Sequence, residues 1–133
     1  MSAQIYLKSD GGTARVARST IEKWVAALRS GRYPKGVGAL QSNVGFCCLG
    51  VACDLFIPEA KKQRFKATPK NALSGYTPID QKYAPKWLKI INTVGVVWDP
   101  ETHKYIIPTL SDLNDNGKGF FYIADEIERR FLK

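Results

Sequence analysis

Residues 31–56 read GRYPKGVGALQSNVGFCCLGVACDLF, a glycine-rich loop that runs directly into an apolar, cysteine-containing helix. Glycine allows backbone N–H groups to approach a ligand closely, and the N-terminus of a helix favours anions. A loop of this composition in front of a rigid helix is typical of a site for a small, negatively charged molecule. The polar side chains that we expect to contact such a ligand are Arg32, Tyr33, Lys35, Gln41 and Asn43.

Apolar residues at helical spacing occur on both sides of this loop. Upstream, apolar residues recur at i, i+3, i+4 and i+7, namely Ile21, Trp24, Val25 and Leu28. Ser19 and Glu22 predict a capping box at the start of this helix, and Gly31 predicts its C-terminal cap. The same spacing in the second helix is carried by Leu49, Ala52, Cys53 and Phe56. We expect Pro58 to end that helix.

The remaining sequence alternates short helical and extended patterns. We predict a short strand or a flexible segment over 1–12, a basic loop over 59–78, a short helix over 85–91, a β-hairpin pairing 96–98 with 105–107, a helical turn over 111–116 and a final helix from about Gly119. Residues 1–133 are therefore expected to form one α+β domain. It would contain about three helices packed on a small antiparallel sheet or β-hairpin.

The bulk composition limits the protein class. Of the 133 residues, 44% are hydrophobic, which excludes a disordered chain. The sequence has no run of 18 apolar residues and no apolar signal core at its N-terminus, so we expect a cytoplasmic protein that does not contact membrane. The three cysteines supply no disulfide framework and fit a reducing compartment.

Positive charge is concentrated in the first two-thirds of the chain. The net charge is +8, with fifteen Lys or Arg against five acids up to residue 90, and five against seven thereafter. This asymmetry favours an anionic partner, either a phosphorylated small molecule or a nucleic acid. Basic residues are frequent between Lys61 and Lys70. Elsewhere in the chain, as well as in this segment, aromatic residues are next to basic ones, as in Arg32–Tyr33 and Arg64–Phe65. Aromatic and basic residues together suit base stacking with phosphate contact.

The cysteines allow two chemical interpretations besides burial in the core. A zinc site is disfavoured because Cys47, Cys48 and Cys53 have no C-x-x-C spacing and His103 is the only histidine. A thiol nucleophile remains an alternative, since Cys48 lies near a predicted helix N-terminus and His103 follows as a candidate base. Most free cysteines beside such apolar neighbours are small buried hydrophobes.

The segment from Asp112 to Gly117 imitates the start of a calcium loop. Its twelfth position is Ile123 rather than a bidentate carboxylate, so we expect no calcium there. We interpret it as a turn that stops a helix, in which Asn and Asp side chains bond to the local backbone. A ligand-contacting role stays open for polar side chains in and beside this turn. The candidates are Asn114 and Asp115, which suit base edges, and Lys118. Phosphate-binding loops and dinucleotide motifs are absent, so we expect no cofactor and no metal.

Four motifs together resemble a family of small proteins from tailed bacteriophages. They are a helix ending in ALRSG, a YxxGxG loop, a CCLGVxCD core and an LNDxG segment that ends in IAD. The resemblance covers most of the chain, and it implies an anti-CBASS sponge that sequesters a cyclic nucleotide in an infected bacterial host. Two loop positions depart from the family pattern: Lys35 stands where glutamine is expected, and Gln41 where arginine is expected.

Our leading interpretation is a non-enzymatic protein that sequesters a small anionic nucleotide, and we expect an oligomer if it encloses its ligand. Three alternatives stay open. One is a DNA- or RNA-binding phage protein that uses the basic residues 61–70. The second is a cysteine-dependent hydrolase, and the third is a module that inhibits a host enzyme directly.

Overall fold

The computed structural model describes residues 3–9, 12–36, 45–56 and 85–133. In chain order, the elements are β1 (Gln4–Ser9), β2 (Gly12–Ala17), α1 (Arg18–Arg29), α2 (Cys48–Phe56), α3 (Lys86–Thr93), β3 (Val97–Asp99), β4 (Lys104–Ile107), α4 (Leu110–Asp115) and α5 (Phe120–Ile127). A π-helical turn, Glu128–Leu132, continues α5. The α+β prediction is confirmed, although the described residues form five helices rather than three and two separate hairpins.

Strands β1 and β2 form an antiparallel hairpin that covers the core on one side. Their register pairs Gln4 with Ala17 and Ser9 with Gly12. Side chains alternate, so Leu7 and Val16 are buried against α3 while their sequence neighbours face outward. The predicted strand at the N-terminus is confirmed, but β2 falls in a segment for which the sequence predicted no strand.

Helix α1 buries the predicted apolar face, which consists of Ile21, Trp24, Val25 and Leu28. The predicted capping box is wrong. The helix begins at Arg18 behind Ala17, which makes no side-chain cap, and Glu22 accepts a hydrogen bond from Arg18 Nε. The predicted C-terminal cap is confirmed, because Gly31 follows the helix with φ +77°, a conformation that glycine adopts without strain.

The core lies where α1, α2, α3 and α5 meet. Helix α2 is buried over its first two turns, and its Leu49, Ala52 and Cys53 lie on the predicted face. Trp24 joins α1 to α2 by donating from Nε1 to the Cys48 carbonyl over 2.9 Å, and its ring also packs edge-on against Trp87 of α3. The interface of α1 with α5 is closed at its edge by Arg29, whose guanidinium donates to Glu128 and Asp125.

The predicted second hairpin, short helical turn and final helix are confirmed. Strands β3 and β4 pair antiparallel with an irregularity beside Trp98, and both strands are largely exposed. Helix α4 is capped by Thr109, whose side chain accepts from the Asp112 amide, and the chain turns at Gly117 with φ +90°. Among the described residues, no helix has both the length and the apolar content that crossing a bilayer requires.

Candidate functional site

The predicted ligand loop is closed at its base by backbone pairing. The Gly36 amide donates to the Phe46 carbonyl over 2.7 Å, and the Phe46 amide donates to the Pro34 carbonyl over 2.8 Å. Gly45 is required there, since a Cβ at this position would lie 2.1 Å from the Pro34 oxygen. We call Pro34–Gly36 together with Gly45–Phe46 the loop base. The predicted ligand residues Gln41 and Asn43 fall between its two arms in the sequence and are outside the described residues.

Asn114 of α4 holds the loop base to the start of α2. Its side chain is fully buried: Oδ1 accepts from the Cys48 amide over 3.1 Å, and Nδ2 donates to the Gly36 carbonyl over 2.9 Å. The amide is thus occupied with protein partners that fix the loop base, and the predicted contact of Asn114 with a base edge stays a prediction. The first amide of α2 is also occupied, so this helix N-terminus does not present it to an anion.

The other predicted ligand residues divide into engaged and exposed groups. Lys35 donates from Nζ to the Asn114 carbonyl over 2.9 Å, and the Tyr33 hydroxyl donates to Asp54 over 2.6 Å. Both side chains therefore brace the loop base against neighbouring elements. The exposed group comprises Arg32, Asp115 and Lys118. Asp115 accepts a bond from Asn114, while the Lys118 ammonium lies 4.8 Å from the centre of the Tyr122 ring.

The three cysteine thiols are buried and free. Burial raises the pKa of Cys47 to about 11 and that of Cys53 to about 12, and it raises the pKa of Cys48 well above its ordinary value. A nucleophilic cysteine needs the opposite, an accessible thiol with a lowered pKa. His103, the base proposed with Cys48, lies in the exposed turn between β3 and β4, where its ring faces Trp98. These positions weigh against the hydrolase alternative.

No three His, Cys, Asp or Glu side chains gather closely enough to hold a metal ion within the described ranges. The segment from Asp112 to Gly117 forms the end of α4 and the turn after it, as interpreted from the sequence.

A pocket of about 550 Å³ lies between α3 and the β3–β4 hairpin. We call it the aromatic pocket, and its lining consists of Lys89, Ile90, Thr93, Val96, Trp98, Tyr105 and Thr109. The Trp98 and Tyr105 rings meet edge to face with centroids 4.8 Å apart, yet each remains nearly half exposed, at 48% and 45%. This volume falls within the range of small-molecule sites, and the exposed rings supply aromatic surface on which a ligand could stack.

The polar groups of the aromatic pocket stand around these rings. Lys89 is exposed on α3 and supplies a positive charge. The Thr93 hydroxyl donates to the Ile90 carbonyl over 3.2 Å, which leaves its oxygen able to accept. The sequence did not identify this pocket, because its lining comes from three elements and from Val96 and Thr109, which lie between elements. The one available signal was the pair of aromatic residues, Trp98 and Tyr105, facing each other across a predicted hairpin.

The family model described as a domain of unknown function (DUF8296) matches residues 17–131, which is most of the chain. The match begins at the last residue of β2 and ends within the π-helical turn, so it includes the loop base, the aromatic pocket and the cysteine helix. Neither the curated proteins nor the solved structures contain a match to this sequence.

Proposed function

The chain belongs to the DUF8296 family, and we propose that it binds a small phosphorylated nucleotide without changing it chemically. The observation that carries this proposal is the aromatic pocket. Its lining residues Trp98 and Tyr105 are nearly half exposed, and its volume is large enough for a nucleotide. In an infected bacterial host, binding of this kind would sequester a nucleotide signal, as the resemblance to phage proteins implies.

Each part of a nucleotide has a matching group in this pocket. The base would stack on the face of Trp98 or Tyr105, because every base presents a π-face to an aromatic ring. The phosphate would lie near the Lys89 ammonium, an exposed cation on the adjacent helix. The Thr93 oxygen is available to accept a hydrogen bond from an exocyclic amine or a ribose hydroxyl.

The chemistry of the nearby groups supports binding without turnover. None of the described residues that line the pocket is a carboxylate, histidine or cysteine, which are the residues that most often transfer protons or attack phosphorus and carbon. The thiols are buried in the core with raised pKa values. The predicted loop contacts through Gln41 and Asn43 stay predictions. Arg32 and Lys118 are exposed cations of the predicted loop site, and they would contact a phosphate if that site also binds the nucleotide.

The test is a thermal-shift screen of the full chain against cyclic and linear nucleotides, followed by titration of any ligand that stabilises it. A ligand at a hundred times its dissociation constant adds about 2.7 kcal/mol to the stability of the folded state. We expect Trp98→Ala to weaken binding roughly 5- to 100-fold, as expected for the loss of base stacking. Lys89→Ala should lower the affinity for the nucleotide. It should leave the affinity for the corresponding nucleoside, which has no phosphate, nearly unchanged.

Phe121→Ala provides the matched control, because Phe121 is an aromatic residue on α5 that is 66% exposed and lies outside the pocket lining. This variant should bind like the unmodified protein. Chromatography of the ligand after release should recover it intact. A panel in which no nucleotide stabilises the protein, or a Trp98→Ala variant with undiminished affinity, contradicts the proposal.

A further inference from the structure

The β1–β2 hairpin presents an outer face that the aromatic pocket does not include. We define the outer face by its exposed side chains, which are Gln4, Tyr6, Lys8, Thr13 and Arg15. The register pairs Tyr6 with Arg15 and Lys8 with Thr13, so these four residues form two adjacent cross-strand pairs. The Tyr6 ring is 62% exposed, and the Arg15 guanidinium lies over it, 5.6 Å from its centre.

Among the described residues, no acidic side chain neutralises the positive charge of this face, and Asp10, which lies between the two strands in the sequence, falls outside them. Neither QIYLKS nor GTARVA, the sequences of the two strands, contains an acidic residue. In the described part of the chain, Lys8 and Arg15 form no ion pair, whereas Arg18 at the start of α1 is paired with Glu22. Within the described residues, Lys8 and Arg15 thus stand without an ion-pair partner beside an exposed aromatic ring, on a protein of net charge +8.

We propose that the outer face binds single-stranded nucleic acid. The argument is charge complementarity combined with an exposed stacking surface: Lys8 and Arg15 would contact successive phosphates, and Tyr6 would stack on a base between them. Side chains on one face of a β-strand repeat about every 7 Å. Tyr6 and Lys8 can therefore contact adjacent nucleotides of an extended single-stranded nucleic acid. A duplex fits less well, because its base faces are already stacked on one another and leave Tyr6 without a partner.

This inference is independent of the proposed nucleotide pocket. It also differs from the alternative in which residues 61–70 bind DNA or RNA, since those residues lie outside the described part of the chain. The outer face belongs to the first 90 residues, where the sequence concentrates its positive charge. Most of the hairpin precedes residue 17, where the family match begins, so the match does not cover most of the proposed surface.

In the experiment, the full chain is titrated into labelled twelve-nucleotide oligo(dT), oligo(U) or a duplex of the same length. Binding is measured by fluorescence anisotropy at several salt concentrations. We expect both single strands to bind more tightly than the duplex. Tyr6→Ala should weaken single-strand binding roughly 5- to 100-fold, and Tyr6→Phe should retain most of the affinity because the ring is kept. Replacing Lys8 and Arg15 with alanine should reduce the log–log salt slope by about 1.4, since each phosphate contact on a single strand contributes about 0.7.

Lys104→Ala with Lys133→Ala is the charge-matched control, because both lysines are exposed and lie outside the β1–β2 hairpin. Phe121→Ala is the aromatic control. Thermal melting of each variant separates loss of binding from loss of folding. Equal weakening by the control pair, duplex binding as tight as single-strand binding, or unchanged affinity of Tyr6→Ala would overturn the proposal. Trp98→Ala should leave oligonucleotide binding intact, so a failure here is distinguishable from a failure of the nucleotide pocket.

Discussion

Single residues explain why the cysteine-rich helix is structural. Cys48 is completely buried, and its thiol lies 3.5 Å from the Leu110 carbonyl, while the Cys47 sulfur accepts a weak bond from the Gly50 amide over 3.4 Å. Burial is the main cause of the raised pKa at all three thiols, because a thiolate would lose its hydration there. The folded protein therefore favours the neutral thiol, which packs as a small hydrophobe.

These pKa values predict how stability depends on alkaline pH. In the unfolded chain a cysteine ionises near its ordinary pKa of 9.0, whereas folding raises the pKa of Cys53 to about 12. Its contribution to stability is therefore fully present below pH 9 and is lost as pH rises from 9 toward 12. Over that window one such thiol changes the free energy of unfolding by up to about 1.4 kcal/mol per pH unit. Cys53→Ala should remove that slope, measured by urea denaturation between pH 8 and 10.5.

Val51→Ala is the control for this measurement, because Val51 is also buried in α2 but does not titrate. It should lower the stability at every pH while retaining the slope of the unmodified protein. Cys47 and Cys48, whose pKa values are also raised, are identical in all three proteins and contribute the same slope to each. If Cys53→Ala keeps the full slope, burial of this thiol does not control the alkaline loss of stability.

At the scale of elements, the loop base depends on one side chain from a distant part of the sequence. Asn114 on α4 satisfies the first amide of α2 and the Gly36 carbonyl together, and Lys35 returns a bond to the Asn114 carbonyl. These three bonds join α4, α2 and the arm that leads into residues 37–44. The loop base is thus positioned by α4.

Asn114→Ala should therefore be strongly destabilising. It leaves the Cys48 amide and the Gly36 carbonyl buried without this partner, at about 1–3 kcal/mol for each unsatisfied group. We expect a loss of roughly 2–4 kcal/mol in the free energy of unfolding, measured by chemical denaturation. Asn116→Ala, at an exposed position two residues later, should change the stability by less than about 0.5 kcal/mol. Similar stability of the two variants would show that the connection is dispensable.

The elements also show which structural signals are local. The helices were predictable because apolar spacing and turn residues such as Gly31 and Gly117 act within a few positions of one another. The predicted capping box was wrong although its sequence pattern is present. Strand β2 continues to Ala17, and the helix begins directly after it at Arg18, one residue before Ser19. Strand β2 was missed since its strand identity depends on pairing with β1. Asn114 was noticed as a polar residue, but its partners lie 66 and 78 positions away.

At the scale of the whole molecule, α3 separates the two proposed binding surfaces. Its Ile90 lines the aromatic pocket, and the same side chain lies within 4 Å of the position that a Cβ would take on Gly12 of β2. The sequence indicated an anionic partner from charge alone, and that inference needed no coordinates. The aromatic pocket could not be predicted in the same way, because it exists only where α3 packs beside the β3–β4 hairpin.

This arrangement predicts that the two ligands bind without competing. Trp87, Leu88 and Ile91 bury helix α3 in a close-packed core. We therefore expect neither ligand to move this helix when it binds. At 0.15 M salt the Debye length is about 8 Å, which limits the repulsion between a bound oligonucleotide and a nucleotide phosphate. Saturating oligo(dT) should therefore change the dissociation constant of the nucleotide by less than threefold, a coupling below about 0.7 kcal/mol. Calorimetric titration of the nucleotide with and without oligo(dT) measures this coupling, and complete displacement would mean that both ligands occupy one site.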